Sequence, residues 1–212
     1  MKRLLLLSML FVSPLKAQDV DTVRIVHKNY TTVFSKSLKY PLLVEWWNTK
    51  DKIGCANPLP RKDKFVPDPM LKAETDLQSD YTRSGLDRGH VAPAADNLCS
   101  GKEVAEEAFY FSNMIPQYHG LNAGDWKSGE TYSRDMAIQF DSVHVWAGAI
   151  GEAKRIGKVA VPRQCWKVLY VPAHKEWHAF IFANDPDQKY GIETHRVMVS
   201  DIEKLTGFKF KK

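Results

Sequence analysis

The chain has 212 residues, 44% apolar and 26% charged, an ordinary globular composition that excludes disorder as its dominant state. Eleven prolines and twelve glycines, spread along the whole length, exclude a coiled coil, and there is no apolar run of about 18 residues to make a transmembrane helix. The formal net charge is +5, and part of it sits at the extreme amino terminus.

Taken in chain order, Met1-Lys2-Arg3 is followed by the apolar stretch Leu4 to Val12. A short basic start and a short apolar stretch predict a secretory signal peptide over residues 1–17. Removing it takes away Lys2, Arg3 and Lys16. Lys+Arg then falls from 30 to 27 against 25 Asp+Glu, so the mature charge is +2. Any basic surface is therefore local. Residues 18–212 are expected to form a single domain, exported to the periplasm or the medium, with no membrane anchor. Export permits one disulfide among Cys55, Cys99 and Cys165, and all three pairings remain open.

Val23–His27, Thr31–Phe34 and the apolar run Tyr40–Trp47 predict strands. Trp46-Trp47 is read as core packing. Residues 54–69 carry four prolines and are expected to be irregular, and residues 76–85 to be a loop. Good helix formers predict helices over 102–110 and 125–137. Residues 143–148, 165–171 and 177–182 read as core strands. Ser200-Asp201-Ile202-Glu203 reads as a capping box opening a last helix that ends before Gly207. Strands and helices mix without regular βαβ alternation, so the fold class is α+β: a mixed or antiparallel sheet core flanked by helices.

Two clusters carry chemistry. In Asp87-Arg88-Gly89-His90, the histidine can take a proton near neutral pH, Arg88 offers a fork of donors suited to phosphate, and Gly89 allows a turn or a close approach. The second cluster runs from Phe111-Ser112-Asn113 through Asn122, Trp126, Glu130 and Arg134. The last four are spaced by four and would form one drifting stripe on a helix. Asn122 and Glu130 would then be about 12 Å apart along the axis, too far to share one inner coordination shell. Asn122 offers a neutral carbonyl oxygen suited to a hard, hydrated cation such as Mg²⁺. His119 reads as an exposed loop histidine.

Together these segments, with Ala92 to Asp96 and Met114 to Gln117, resemble the secreted DNA/RNA non-specific endonucleases of the ββα-metal class. The motif block covers residues 87–134, with weaker similarity from about Tyr40 to the end. The resemblance implies that His90 is the general base and that Asn122 is the sole direct protein ligand of one Mg²⁺, with Mn²⁺ or another divalent ion able to substitute. It implies that Glu130 supports the hydrated ion, that Asp87 orients the site, and that Arg88 lies beside the phosphate or braces the site. Asn113 should lie close to metal and histidine, and Arg134 should pair with phosphate or with Glu130. Arg61 is the candidate for an upstream arginine on the scissile phosphate. The implied substrates are DNA and RNA. The rival readings are a binding protein of the same fold without turnover and a phosphodiesterase for small diesters.

Overall fold

The computed structural model describes residues 21–187 and 190–211; the predicted signal peptide lies outside them. β-Branched residues dominate β1 (Thr22–Val26) and β2 (Tyr30–Ser35), as a pleated, half-buried surface favours. With β3 (Tyr40–Thr49), β6 (Ser142–Ile150), β9 (Gln164–Val171) and β10 (Glu176–Ala183) they form a six-stranded sheet in the order β1-β2-β3-β6-β9-β10. Every neighbouring pair in it is antiparallel. The intervening elements are α1 (Lys50–Ile53), α2 (Lys72–Thr75), α3 (Gln78–Tyr81), β4 (Asp87–His90), α4 (Lys102–Glu107), β5 (Met114–Gln117), α5 (His119–Ala123), α6 (Asp125–Phe140), β7 (Lys154–Ile156), β8 (Val159–Val161) and, last, α7 (Val199–Thr206).

Both faces of the sheet are covered. On one, Val44, Trp46, Val145, Leu169 and Phe182 pack with Trp126 and Ala137 of α6. On the other, Leu43, Trp146, Trp166 and Tyr170 pack with Ile202 of α7 and with Phe208 and Phe210. Neighbouring residues on a strand point to opposite faces, so Trp46 and Trp47 cannot share a core. Trp46 is buried, whereas Trp47 is 43% exposed and stacks on the His144 ring at 4.2 Å. The expectation that both are core residues is corrected accordingly.

Two other boundaries move. The last helix starts at Val199, not after a Ser200 cap: the Met198 N–H donates to Asp201 Oδ2 at 3.3 Å. It ends at Gly207, whose φ of 75° is left-handed, the conformation glycine supplies at a helix end. The expected loop at 76–85 contains the single turn α3, because Leu77 and Tyr81, one turn apart, both bury against Phe111 and Met114.

Residues 54–69 are irregular as expected and are moored to the body. Cys55 and Cys99 form a disulfide, Cys165 stays a buried free thiol, and the Leu59 N–H donates to the Leu98 carbonyl at 2.9 Å. The bridge closes a loop across a sequence separation of 44, so chain entropy gives it about 4 kcal/mol of stabilisation. Cys55→Ser with Cys99→Ser should lower stability by that order in urea unfolding. Alkylating unfolded, unreduced protein should label one cysteine; three labelled thiols would contradict the bridge.

Candidate active site

β4 and β5 pair antiparallel, with Gly89 opposite Ile115 and His90 opposite Met114. Together with α6 they form the ββα unit. Gly89 serves close approach rather than a turn: a Cβ there would lie 1.8 Å from Gln117 Oε1. The end of β4 is clamped from two sides. Trp126 Nε1 donates to the His90 carbonyl at 2.9 Å. From the other side the Asn113 side chain accepts from the Ala92 N–H at 2.9 Å and donates to the carbonyls of Ala92 and Ala108.

Beside this clamp opens a cleft of about 430 Å³, lined among others by Arg61, Asp87, Arg88, His90, Asn122, Lys127, Glu130 and Arg134. Seven of the eight residues singled out from the sequence thus converge. The eighth, Asn113, is fully buried and spends its amide on backbone. Through Ala92 it braces the end of the strand that carries His90.

His90 is 9% exposed. Its ring lies 4.9 Å from Phe109, edge to face, and 5.6 Å from Phe65, and its Nε2 is buried without a hydrogen-bond partner. Aromatic packing, not a carboxylate, orients the imidazole. Burial holds its pKa down to about 3 from the ordinary 6.5, with Arg61 acting the same way and Asp63 opposing. The ring is therefore neutral at physiological pH. The linked effect on stability has a definite sign. Between pH 6.5 and 3 the unfolded chain binds a proton that the folded chain does not. The stability His90 contributes is complete above 6.5 and is lost as pH falls through that window. An NMR titration of the His90 ring should show it unprotonated at pH 5; an ordinary midpoint near 6.5 would refute this.

Asn122 lies on α5, not on the helix of Glu130. The chain changes direction at Gly124, between α5 and α6, so the expected continuous stripe of four is broken after its first member. Within α6 the remaining three divide: Trp126 is fully buried against Phe182, while Glu130 and Arg134 face the cleft. Asp87 Oδ2 accepts from Asn122 Nδ2 at 2.8 Å and meets His119 Nδ1 at 2.9 Å. His119 is exposed, as read, but opens α5 and pairs with Asp87. With its nitrogen donated to Asp87, Asn122 leaves its carbonyl oxygen free to ligate a cation.

The cations differ in commitment. Arg88 lies 5.3 Å from the Phe65 ring centre and 5.4 Å from that of Tyr81, a cation–π seat, and its Nε is buried without a partner. Arg61 is half exposed, donates to Asp63 at 2.6 Å and lies 5.8 Å from the Phe109 ring. Arg134 donates to Asp96 Oδ1 at 3.0 Å and to Thr131 Oγ1 at 3.1 Å, so an ion pair with Asp96 stands where one with Glu130 was expected. Lys127, which the sequence reading passed over, is exposed on the cleft wall. Its spacing of three from Glu130 puts the two on one side of α6 and was the available signal.

Among the described residues no group of three or more His, Cys, Asp or Glu side chains could hold a metal ion. A zinc-type chelate is thus not on offer. One neutral amide oxygen beside carboxylates suits a hard cation that keeps much of its water.

The sequence profile of the DNA/RNA non-specific endonucleases matches residues 11–212. A nuclease from Nostoc sp. is 30% identical over 90% of this chain and 73% of its own length. The human mitochondrial nuclease EXOG is 31% identical over 87% of this chain, and human mitochondrial endonuclease G is 34% identical over 62%. The chain spans about half the length of these two human proteins, 55% and 50% respectively. In fold, a chain from the crystal structure of an EndoG/EndoGI complex superposes with a TM-score of 0.77 at 24% identity, covering 88% of this chain and 84% of that one. The ββα unit with its polar cleft and the match along nearly the whole sequence agree: this chain is a nuclease of the DNA/RNA non-specific endonuclease family.

Proposed function

We propose that the protein is an exported, Mg²⁺-dependent endonuclease that hydrolyses DNA and RNA without sequence preference, leaving 5′-phosphate and 3′-hydroxyl ends. The observation that carries this is the convergence of a neutral histidine, a free amide oxygen, two carboxylates and four cations in one cleft. The Cys55–Cys99 bridge supports an oxidising compartment, and no helix among the described residues is long and apolar enough to cross a membrane.

A phosphodiester is anionic and resists attack by water. Neutral His90 takes the proton of the attacking water as general base. Arg88, Arg61 and Lys127 bind the non-bridging oxygens, where charge grows in the transition state. Asn122, oriented by Asp87, would hold the cation directly, and Glu130 would support its hydration shell from α6. When bound, Mg²⁺ supplies Lewis-acid charge to the phosphate and the departing 3′ oxygen. Because water is the nucleophile, the substrate's 2′-OH has no part, and both nucleic acids are substrates. Phosphate contacts position a strand without reading it, so cleavage is sequence-independent and weakens as salt rises.

The test is digestion of plasmid DNA and of RNA by purified protein, with Mg²⁺ and with chelator, followed by end-group analysis. Both polymers should be cut only with metal. Ends bearing 3′-phosphate, or RNA cut while DNA stays intact, would overturn nucleophile and leaving group together.

A further inference from the structure

Strand alternation turns Trp47 away from the core that takes Trp46. An exposed apolar side chain is by itself ordinary, but the surroundings of this one are not. Trp47 lines a hollow of about 430 Å³, separate from the catalytic cleft, together with Arg24, Lys28, Glu45, Lys52 and His144 among others. One face of the indole lies on the His144 ring at 4.2 Å and 15°, so its 43% exposure falls on the other face and the edges. The pile continues inward, with the Trp146 ring 3.7 Å from His144. His144 Nε2 lies 2.9 Å from Glu45 Oε1, which fixes the middle ring. Trp47 thus tops a rigid aromatic stack whose outer face is open.

Among the described residues, three Lys and Arg side chains and one carboxylate line the hollow. The carboxylate, Glu45, is occupied by His144 and, at 4.0 Å, by Arg24. Lys28 pairs with Glu103, but both side chains are more than half exposed. Such surface pairs contribute little, so a phosphate can take the place of Glu103. Lys52 donates to the Trp47 carbonyl at 3.0 Å, which keeps its ammonium beside Trp47. The hollow also neighbours the cleft. Trp46, on the wall of the hollow, donates to Asp96 Oδ2 at 3.2 Å, and Arg134, on the wall of the cleft, donates to Asp96 Oδ1 at 3.0 Å. One side chain therefore joins the two, within reach of a single polymer strand.

An open indole face takes a planar ring, and the cations around it take anions spaced along the same ligand. A single strand of nucleic acid presents both, whereas the bases of a duplex already cover one another. A neutral sugar would use the indole and leave the cations without a role. We propose that this hollow is a second nucleic-acid site: Trp47 takes an unstacked base of a single strand, and Arg24, Lys28 and Lys52 hold the phosphates on either side. That the strand is also the substrate rests on the nuclease reading; the binding itself does not.

The experiment measures binding of labelled long oligo(dT) by fluorescence anisotropy in chelator, and kcat and KM on oligo(dT) and on duplex plasmid with Mg²⁺. Trp47→Ala should weaken binding and raise KM on oligo(dT) by about five- to a hundredfold, as loss of one base–aromatic stack does. Its kcat, and its KM on duplex plasmid, should stay as in wild type. Trp47→Phe should keep most of the affinity. Arg24→Ala and Lys28→Ala should each flatten the fall of log K with log salt by about 0.7. Wild-type binding in Trp47→Ala, or binding in Trp47→Phe as weak as in Trp47→Ala, would overturn the proposal. So would sedimentation showing that Trp47→Ala splits a dimer, since the face would then belong to a second copy. Should circular dichroism show Trp47→Ala misfolded, the salt slopes of the two cation variants decide, and unchanged slopes would overturn it. A protein that binds oligo(dT) through Trp47 yet cuts nothing would defeat the nuclease reading and leave this site standing.

Discussion

His90→Ala should lower nuclease turnover by about two or more orders of magnitude, the usual contribution of a general base, while leaving the protein folded. The strand that carries His90 is held through its backbone: by Trp126 on the His90 carbonyl and by Asn113 on Ala92. Neither contact uses the imidazole. The ring itself packs on Phe65 and Phe109 without a hydrogen bond at Nε2. Removing it leaves a small void beside the cleft and no orphaned charge. The substitution thus separates chemistry from folding. The measurement is kcat on long DNA with far-ultraviolet circular dichroism as control, and a folded variant that cleaves at the wild-type rate would remove His90 from the mechanism.

Asn122→Ala should abolish cleavage at low-millimolar Mg²⁺. No cluster of anionic ligands stands ready to replace it among the described residues, and the loss extends beyond one oxygen. Asp87 would be left with only exposed His119 as a side-chain partner, free to turn into the cleft as a misplaced anion. Asp87→Asn should mimic the defect more weakly, because an amide at 87 can still bond Asn122 but no longer dictates which end of the Asn122 amide points inward. A Mg²⁺ titration curve unchanged in Asn122→Ala would place the cation elsewhere.

Much of this site was legible in the sequence because its groups lie in two short segments. Asp87 to His90 is one strand, and Asn122 to Arg134 spans two consecutive helices. The six-stranded sheet was legible for a similar reason: Val143–Gly148 and Cys165–Val171 are apolar runs too short for helices. What stayed hidden depends on contacts distant in sequence. Asp96 claims Arg134 across 38 residues, and Lys167 reaches Trp126 from a strand whose periodicity reads only as core. The division of Trp46 from Trp47 follows from strand alternation alone and was available. The start of α6 at Asp125 was legible, but the stripe drawn back through Asn122 ran past it, since a glycine inside a helical pattern is often tolerated and the residues on either side keep perfect spacing.

That break separates two tasks. Had Asn122 and Glu130 stood on one continuous helix, their separation would be locked at about 12 Å along the axis, and any residue change that moved one would drag the other. With the turn at Gly124, the amide is anchored through Asp87 to the ribbon of β4 and β5, while the carboxylate rides on a helix packed against the sheet. The two can be adjusted independently. Lengthening or stiffening the joint at 124 should retune which divalent ion the cleft accepts, a route to altered metal preference that an unbroken scaffold would deny.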